Sequence, residues 1–307
     1  MIVSCGEALI DFLPRKAADG TPAFGAFPGG SPFNVAIAIA RLDTPAGFFG
    51  GLSSDLFGET LRLALHDSGV DTTLAHISTR PTTLAFVSLV DGNARYAFFD
   101  EGSAGRMLTD IDLPALPKTV TALHFGSFSL AEEPCGSAFE ELMRREQRER
   151  VISLDVNVRP TLIHNRDGYL ARIDRLAAMT DVVKLSEEDL AWITPDGAFD
   201  DLANRWLGMG TKLVILTNGA EGAVAISQSA TAKVPTPAVK VVDTIGAGDT
   251  FTAGVLAHLD KRELMSKSAV AALTTAQLTD VLAFAAKAAA VTVSRPGANP
   301  PWLRELA

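Results

Sequence analysis

"DTIGAGDTF" occupies residues 243–251, between an apolar run and a stretch of helical periodicity. Gly246 and Gly248 flank Ala247, and an acid, Asp249, follows at once. Ahead of it, "AVKVVD" (238–243) reads as a strand. Behind it, "DTFTAGVLAHL" (249–259) sets Phe251, Val255, Leu256 and Leu259 at helical spacing. A strand-to-helix turn of small residues would offer the amides of Gly246, Ala247 and Gly248 to an anion. Free N–H groups and the helix dipole favour negative charge there, and small side chains let it approach the backbone. Two common phosphate loops are excluded. A Walker-type loop needs Lys and Ser/Thr where Asp249 stands, and a dinucleotide fingerprint needs glycine where Phe251 stands. A carboxylate at the mouth of an anion site makes sense if its partner is a proton. In phosphoryl transfer to an alcohol, a base takes the hydroxyl proton while amides stabilise the moving charge. Asp249 suits that role. It equally suits capping of the helix.

The rest of the chain repeats the rhythm. "PFNVAIAIARL" (32–42) reads as a buried helix with Pro32 in its first turn. "AGFFGGL" (46–52) reads as one short strand, and "LFGETLRLALHDSG" (56–69) as a helix stopped at Gly69. "TALHFGSFSL", "VISLDVNV", "DVVKLS" and "KLVILTNG" supply further strands between helical segments. Apolar strands of this kind imply a parallel sheet covered on both faces. "MIVSCGEALIDF" reads as a single strand leading out to Asp11. The exception is "TLAFVSLVDGNARYAFFD" (83–100), which alternates about "DGN" and reads as a hairpin. It would form a small β-lid with the extended segment 11–31. No linker or repeat divides the chain.

Composition narrows the function. Of 307 residues, 47% are hydrophobic and 21% charged, so a full core forms. A net charge of −9 argues against nucleic acid or an anionic membrane as a partner. It leaves room for a local anion site built from amides. Cys5 and Cys135 form no CxxC, which fits a reduced, cytoplasmic setting. The N-terminus has no basic region and meets Glu7 and Asp11 too early for a signal peptide. "FAAKAAAVTV" (284–293) is interrupted by Lys287 and reads as too short to span a bilayer. The five histidines show no metal-ligand spacing.

At this point the motifs resemble a known family. "DTIGAGDTF" is similar to the C-terminal signature of the PfkB, or ribokinase-like, carbohydrate kinases. "PGGSPFNVAIAIARL" (28–42) resembles their N-terminal signature. "DVNVRP" (155–160), "KLSEEDL" (184–190), "LTNGAEGA" (216–223) and "VSRPGANPP" (293–301) also fall in the family's order, so the resemblance covers nearly the whole chain. It implies one α/β domain over 1–307: a parallel-rich central sheet flanked by helices, with a β-lid drawn from about 11–31 and 83–104. ATP would be the donor and Mg²⁺ the bridging metal.

The resemblance also assigns roles. Asp249 becomes the base, with Gly246, Ala247 and Gly248 as the anion hole. Asp11, Gly29, Gly30 and Asn34 match sugar-binding positions; read alone, Asp11 is a strand-end acid and Gly29–Gly30 an ordinary turn. Lys184, Ser186, Thr217, Gly219 and Gly222 match the nucleotide side. The family's N-x-x-E motif is replaced by Ser186 and Asp189, and Asp189 would hold Mg²⁺ through water. Asp243 and the carbonyl of Ile245 match a monovalent-cation site, which implies K⁺ activation.

Substrate signals follow. Ser31 stands where ribokinases and 1-phosphofructokinases usually carry Lys, and no Lys lies in 28–40 to hold a sugar phosphate, which disfavours phosphorylated sugars. Asp100 stands where 2-keto-3-deoxygluconate kinases carry an Arg for the substrate carboxylate. Arg106 and Arg159 remain as substrate-side cations or, alternatively, as salt-bridge partners. Phe98 reads either as a sugar platform or as lid core. The pattern is most similar to bacterial fructokinases, many of whose relatives pair as homodimers through the lid. The alternatives are a 2-keto-3-deoxygluconate or ribose kinase, or a nucleotide- or sugar-binding protein without catalysis. A nicotinamide oxidoreductase lacks its glycine fingerprint after the first strand.

Overall fold

A computed structural model describes residues 1–90 and 93–307. Its centre is an eight-stranded sheet, in the order β14-β13-β12-β11-β10-β9-β1-β4. The strands are β1 (Ile2–Cys5), β4 (Ala46–Phe49), β9 (Ala122–Gly126), β10 (Val151–Asp155), β11 (Val182–Ser186), β12 (Leu213–Asn218), β13 (Gly222–Ser227) and β14 (Thr231–Val234). All pair in parallel except β13 and β14, which fold back at one edge. Neighbouring residues on each strand enter opposite cores. Ile2, Val151 and Val182 pack with α1 (Ser31–Arg41), α7 (Ala247–Lys261) and α9 (Thr275–Val293). Val3, Ile152 and Val183 pack with α3 (Cys135–Glu146), α4 (Arg166–Ala178) and α6 (Phe199–Met209). Burial on both faces explains why these strands read as unbroken apolar runs. Three further helices, α2 (Leu56–Asp67), α5 (Glu187–Ile193) and α8 (Lys267–Ala271), complete the layers.

A second sheet stands over one end of the first, in the order β3-β2-β7-β8. It comprises β2 (Leu9–Lys16), β3 (Pro22–Gly29), β7 (Thr83–Val90) and β8 (Asn93–Phe99). β7 and β8 pair antiparallel, as the alternation predicts. Asp91 and Gly92, on which the hairpin reading centres, lie outside the described residues. Leu9, Asp11 and Leu13 face a cleft, whereas Phe12 and Phe86 stack on the other side at 4.6 Å. A two-stranded ribbon of β5 (Gly51–Ser53) and β6 (His76–Ser78) lies alongside.

Several sequence expectations change here. "MIVSCGEALIDF" forms two strands, β1 and β2, in different sheets. The chain breaks at Gly6 (φ 151°), where an added Cβ would lie 2.4 Å from the Pro32 ring. "AGFFGGL" likewise splits into β4 and β5 at Gly50, whose Cβ would meet the Gly6 carbonyl at 2.2 Å. "AVKVVD" is not a strand. Pro235 and Pro237 remove ladder donors, and the segment crosses the surface with Val239, Val241 and Val242 exposed. Only its end is pinned, by Val242 and Asp243 amides on the Val293 carbonyl. "FAAKAAAVTV" lies in α9, whose 19 residues are long and apolar enough to cross a membrane by length and composition. Here α9 buries Leu278, Val281, Leu282 and Ala285 in the core. It approaches α7 closely enough that a Cβ on Gly254 would sit 2.7 Å from Ala285 Cα.

Candidate active site

The carboxyl ends of the parallel strands open into the cleft between the two sheets, where ligands of open α/β folds bind. Its volume is about 670 Å³. β1 leads into Glu7, β9 into Ser127, β10 ends at Asp155 and β11 carries Lys184; all four residues line the cleft.

The glycine turn delivers α7 to the floor. Gly246 takes a left-handed conformation (φ 75°) as the N-cap residue and α7 starts at Ala247. Asp249 therefore lies inside the first turn and does not occupy the cap position. Its two oxygens accept hydrogen bonds from another helix. Ser31 Oγ donates to Oδ1 at 2.6 Å and Asn34 Nδ2 to Oδ2 at 2.8 Å. Burial raises the Asp249 pKa, partly offset by those two hydrogen bonds; Asp155 nearby raises it further and Lys184 lowers it. The result is a more basic carboxylate, held in one orientation, beside an anion-compatible turn. Gly246 and Gly248 line the cleft, whereas Ala247 donates its amide to the Thr244 carbonyl at 3.3 Å.

Asp11 enters from β2. Its carboxylate packs on the Gly29 backbone so tightly that a Cβ there would lie 2.3 Å from Oδ2. Burial pushes the Asp11 pKa to about 6, against the pull of Arg159 and with a contribution from Asp249. Gly30 (φ 106°) lets the chain pass the Glu7 carbonyl, which a Cβ would approach to 2.6 Å. Arg159 also lines the cleft and donates to Asn157 Oδ1 at 2.6 Å. Phe98 borders the cleft and packs on Phe128 with ring centroids 5.3 Å apart, so it is both wall and core.

Other expected residues lie elsewhere. Arg106 is outside the cleft and pairs with Glu132 at 2.7 Å. Asp100 accepts from Thr83 and Ser103 hydroxyls and organises the turn after β8. Ser186 and Asp189 form a capping box on α5, and Asp189 Oδ1 also accepts the Val158 amide at 2.7 Å. Thr217, Gly219 and Gly222 shape the β12–β13 turn, beyond the residues lining the cleft. Asp243 lines the cleft and ties two loops, accepting from the amides of Ile245 at 3.0 Å and Gly297 at 2.8 Å. Among the described residues no three acids, histidines or cysteines converge as a metal cage.

Three site residues receive no role from the sequence. Asp155 is paired with Lys184, which the resemblance places on the nucleotide side and which lies buried with Nζ 3.0 Å from Oδ2, and Thr252 of α7 donates to the same oxygen at 3.1 Å. This pair runs beneath the glycine turn: a Cβ on Gly248 would lie 3.1 Å from Lys184 Nζ. The third is Glu7, 4% exposed, with one carboxyl oxygen unpartnered. "DVNVRP" pointed to the Asp155 region; nothing in the sequence singled out Thr252 or Glu7.

Comparisons with known proteins agree with this architecture. Residues 1–305 match the pfkB family carbohydrate kinases. The chain is 50% identical to a fructokinase of Rhizobium leguminosarum bv. trifolii over 273 residues, 89% of this chain and 84% of that protein. The fold is similar to a fructokinase from Xylella fastidiosa solved with bound ATP. The TM-score is 0.90 at 30% identity, covering 99% of this chain and 96% of the other. It is also similar to a Vibrio cholerae O395 fructokinase solved with fructose, ADP and calcium ion. There the TM-score is 0.83 at 29% identity, over 97% and 94% of the two chains.

Proposed function

The chain belongs to the pfkB family of carbohydrate kinases, and we propose that it transfers the γ-phosphoryl group of ATP to a hydroxyl of D-fructose. The observation that carries the enzyme class is the placement of Asp249. A raised, doubly hydrogen-bonded carboxylate faces a cleft beside a left-handed glycine turn at a helix N-terminus. The choice of fructose rests on the 50% identity to the Rhizobium fructokinase.

In this reading the sugar lies beneath the β2-β3-β7-β8 sheet, which serves as its lid. Asp11, Gly30 and Asn34 bind its hydroxyls. Asp249 accepts the proton of the 6-hydroxyl, and the freed oxygen bonds to the γ-phosphorus as the bond to the β-phosphate oxygen breaks. ADP leaves, and the product is fructose 6-phosphate. The glycine-turn amides and the Lys184 ammonium stabilise charge on the transferring group. MgATP would be the donor: Mg²⁺ would supply charge neutralisation at the phosphates, and an ion that dehydrates reluctantly does not require a protein cage. Asp189, with an amide on each carboxyl oxygen, fixes the Val158–Arg159 loop and leaves at most a water-mediated role toward the metal.

Asp243 and the Ile245 carbonyl are the candidate monovalent-cation ligands; equal rates in Na⁺, K⁺ and choline salts would remove that role. Phe24 and Phe99 leave apolar area exposed on the face of the second sheet away from the cleft, which suits a homodimer formed through the lids. Sedimentation at the monomer mass would overturn it. Two buried, unpaired cysteines suit a reducing, cytoplasmic setting.

The substrate test is coupled ADP release with MgATP on D-fructose, 2-keto-3-deoxygluconate, D-ribose and fructose 6-phosphate. Turnover is expected on fructose above the others. Preference for the keto acid would assign Arg159 to a carboxylate and overturn the fructose reading.

A further inference from the structure

Helix α1 begins without a cap of its own. Its N-cap residue is Gly30, which has no side chain to satisfy the first amides of the helix. The Ser31 amide instead donates to Glu7 Oε1 at 3.1 Å, across 24 positions of sequence. Glu7 sits at the corner where the chain leaves β1 for β2, between the two sheets. Its backbone carbonyl packs on Gly30 and its carboxyl reaches Ser31, so one residue fixes the entry into α1 from both sides. The next contacts lead to the chemistry: Ser31 and Asn34, both in the first turn of α1, hold the two oxygens of Asp249.

We propose that Glu7 is a positioning residue for phosphoryl transfer: by capping α1 from the β1–β2 corner it sets the turn that orients Asp249. The inference rests on Asp249 as the base. Burial pushes the Glu7 pKa up to about 7, with nearby serine hydroxyls at 127 and 129 and the Ser31 amide opposing it. Ser129 spends its own proton on the Gly126 carbonyl at 3.0 Å, and Glu7 Oε2 makes no hydrogen bond. A carboxyl kept at this desolvation cost, with one oxygen unsatisfied, is poor as a stabilising device. It is well placed to fix geometry.

Reach, more than charge, is then what matters. Glu7→Gln keeps an acceptor oxygen at the same distance. Glu7→Asp keeps the charge but is one methylene short, and Glu7→Ala removes the acceptor. Steady-state kcat and KM are measured for the three, with thermal melting as a folding control and Asp249→Asn in the same assay. The expected order is Gln within about threefold of wild type in kcat, with Asp and Ala lower by about tenfold or more and KM for ATP nearly unchanged; a misplacement near 1 Å can cost on the order of 10²-fold. In Ser31→Ala, through which Glu7 acts, adding Glu7→Asp should cost much less than in wild type. An Asp variant as active as wild type, or full additivity with Ser31→Ala, overturns the proposal while Asp249→Asn stays inactive. An active Asp249→Asn overturns the base reading and this proposal with it. If the Ala variant does not fold, the Gln–Asp contrast decides alone.

Discussion

Ser31 Oγ lies 2.6 Å from Asp249 Oδ1, joining residues 218 positions apart in the sequence. The contact brings the two family signatures together and moderates the basicity that burial gives the acid. Burial raises the Asp249 pKa and the Ser31 hydrogen bond lowers it. Ser31→Ala removes the lowering contribution, so the pKa should rise further. The acid limb of the kcat/KM–pH profile should move to higher pH, with a larger loss of rate in acid than in base. An unmoved limb would show that the hydroxyl does not act on the base.

Glu7 makes a separate prediction about stability. Burial pushes its pKa from the ordinary carboxylate value of 4.5 to about 7. The native state holds a proton in that window that the unfolded chain releases. On this account stability falls as pH rises from about 4.5 to about 7 and stays lower above it, by roughly 3 kcal/mol if the whole span counts. Glu7→Gln should remove that slope and be the more stable protein at pH 8 in urea unfolding. An unchanged slope would mean Glu7 titrates normally.

Gly29 has a narrower role. A Cβ there would lie 2.3 Å from Asp11 Oδ2. Gly29→Ala must push the Asp11 carboxylate out of place, so KM for the sugar should rise by about tenfold. KM for ATP should barely change. Equal effects on both would deny Asp11 a sugar-specific role.

The Asp155–Lys184 pair should dominate local stability. Both residues are buried, and Asp155 also accepts from Thr252. Asp155→Ala leaves a buried ammonium unpaired and should cost about 3–5 kcal/mol in chemical denaturation. Removing both charges, in Asp155→Ala with Lys184→Met, should recover part of the loss. A cost under about 1 kcal/mol would imply that water reaches Lys184.

Much of this was legible in the sequence because local chemistry carried it. The unbroken apolar runs implied a sheet covered on both faces, the period-two alternation of 83–100 a hairpin, and "DTIGAGDTF" the helix start and its acid. What failed depended on distant contacts. Gly6 and Gly50 break strands because Pro32 and the Gly6 carbonyl approach them, which no local pattern reveals. "AVKVVD" has strand propensity, but among the described residues no strand pairs with it, and Val239, Val241 and Val242 lie exposed. The same limit applies at the site. Asp249 and Asn34 were named from motifs, yet their hydrogen bond was not foreseeable. Arg106 looked available until the fold supplied Glu132. Glu7 has no motif of its own; its role exists only where β1, β2 and α1 meet.

The proposed chemistry stands or falls with Asp249 taking the proton from the sugar hydroxyl. The most direct test is Asp249→Asn, measured for fructose and ATP binding by calorimetry and for single-turnover phosphoryl transfer in one preparation. Binding within a fewfold of wild type and transfer slower by about 10³-fold or more are expected, as for loss of a positioned general base. Transfer near the wild-type rate with intact binding would contradict that role.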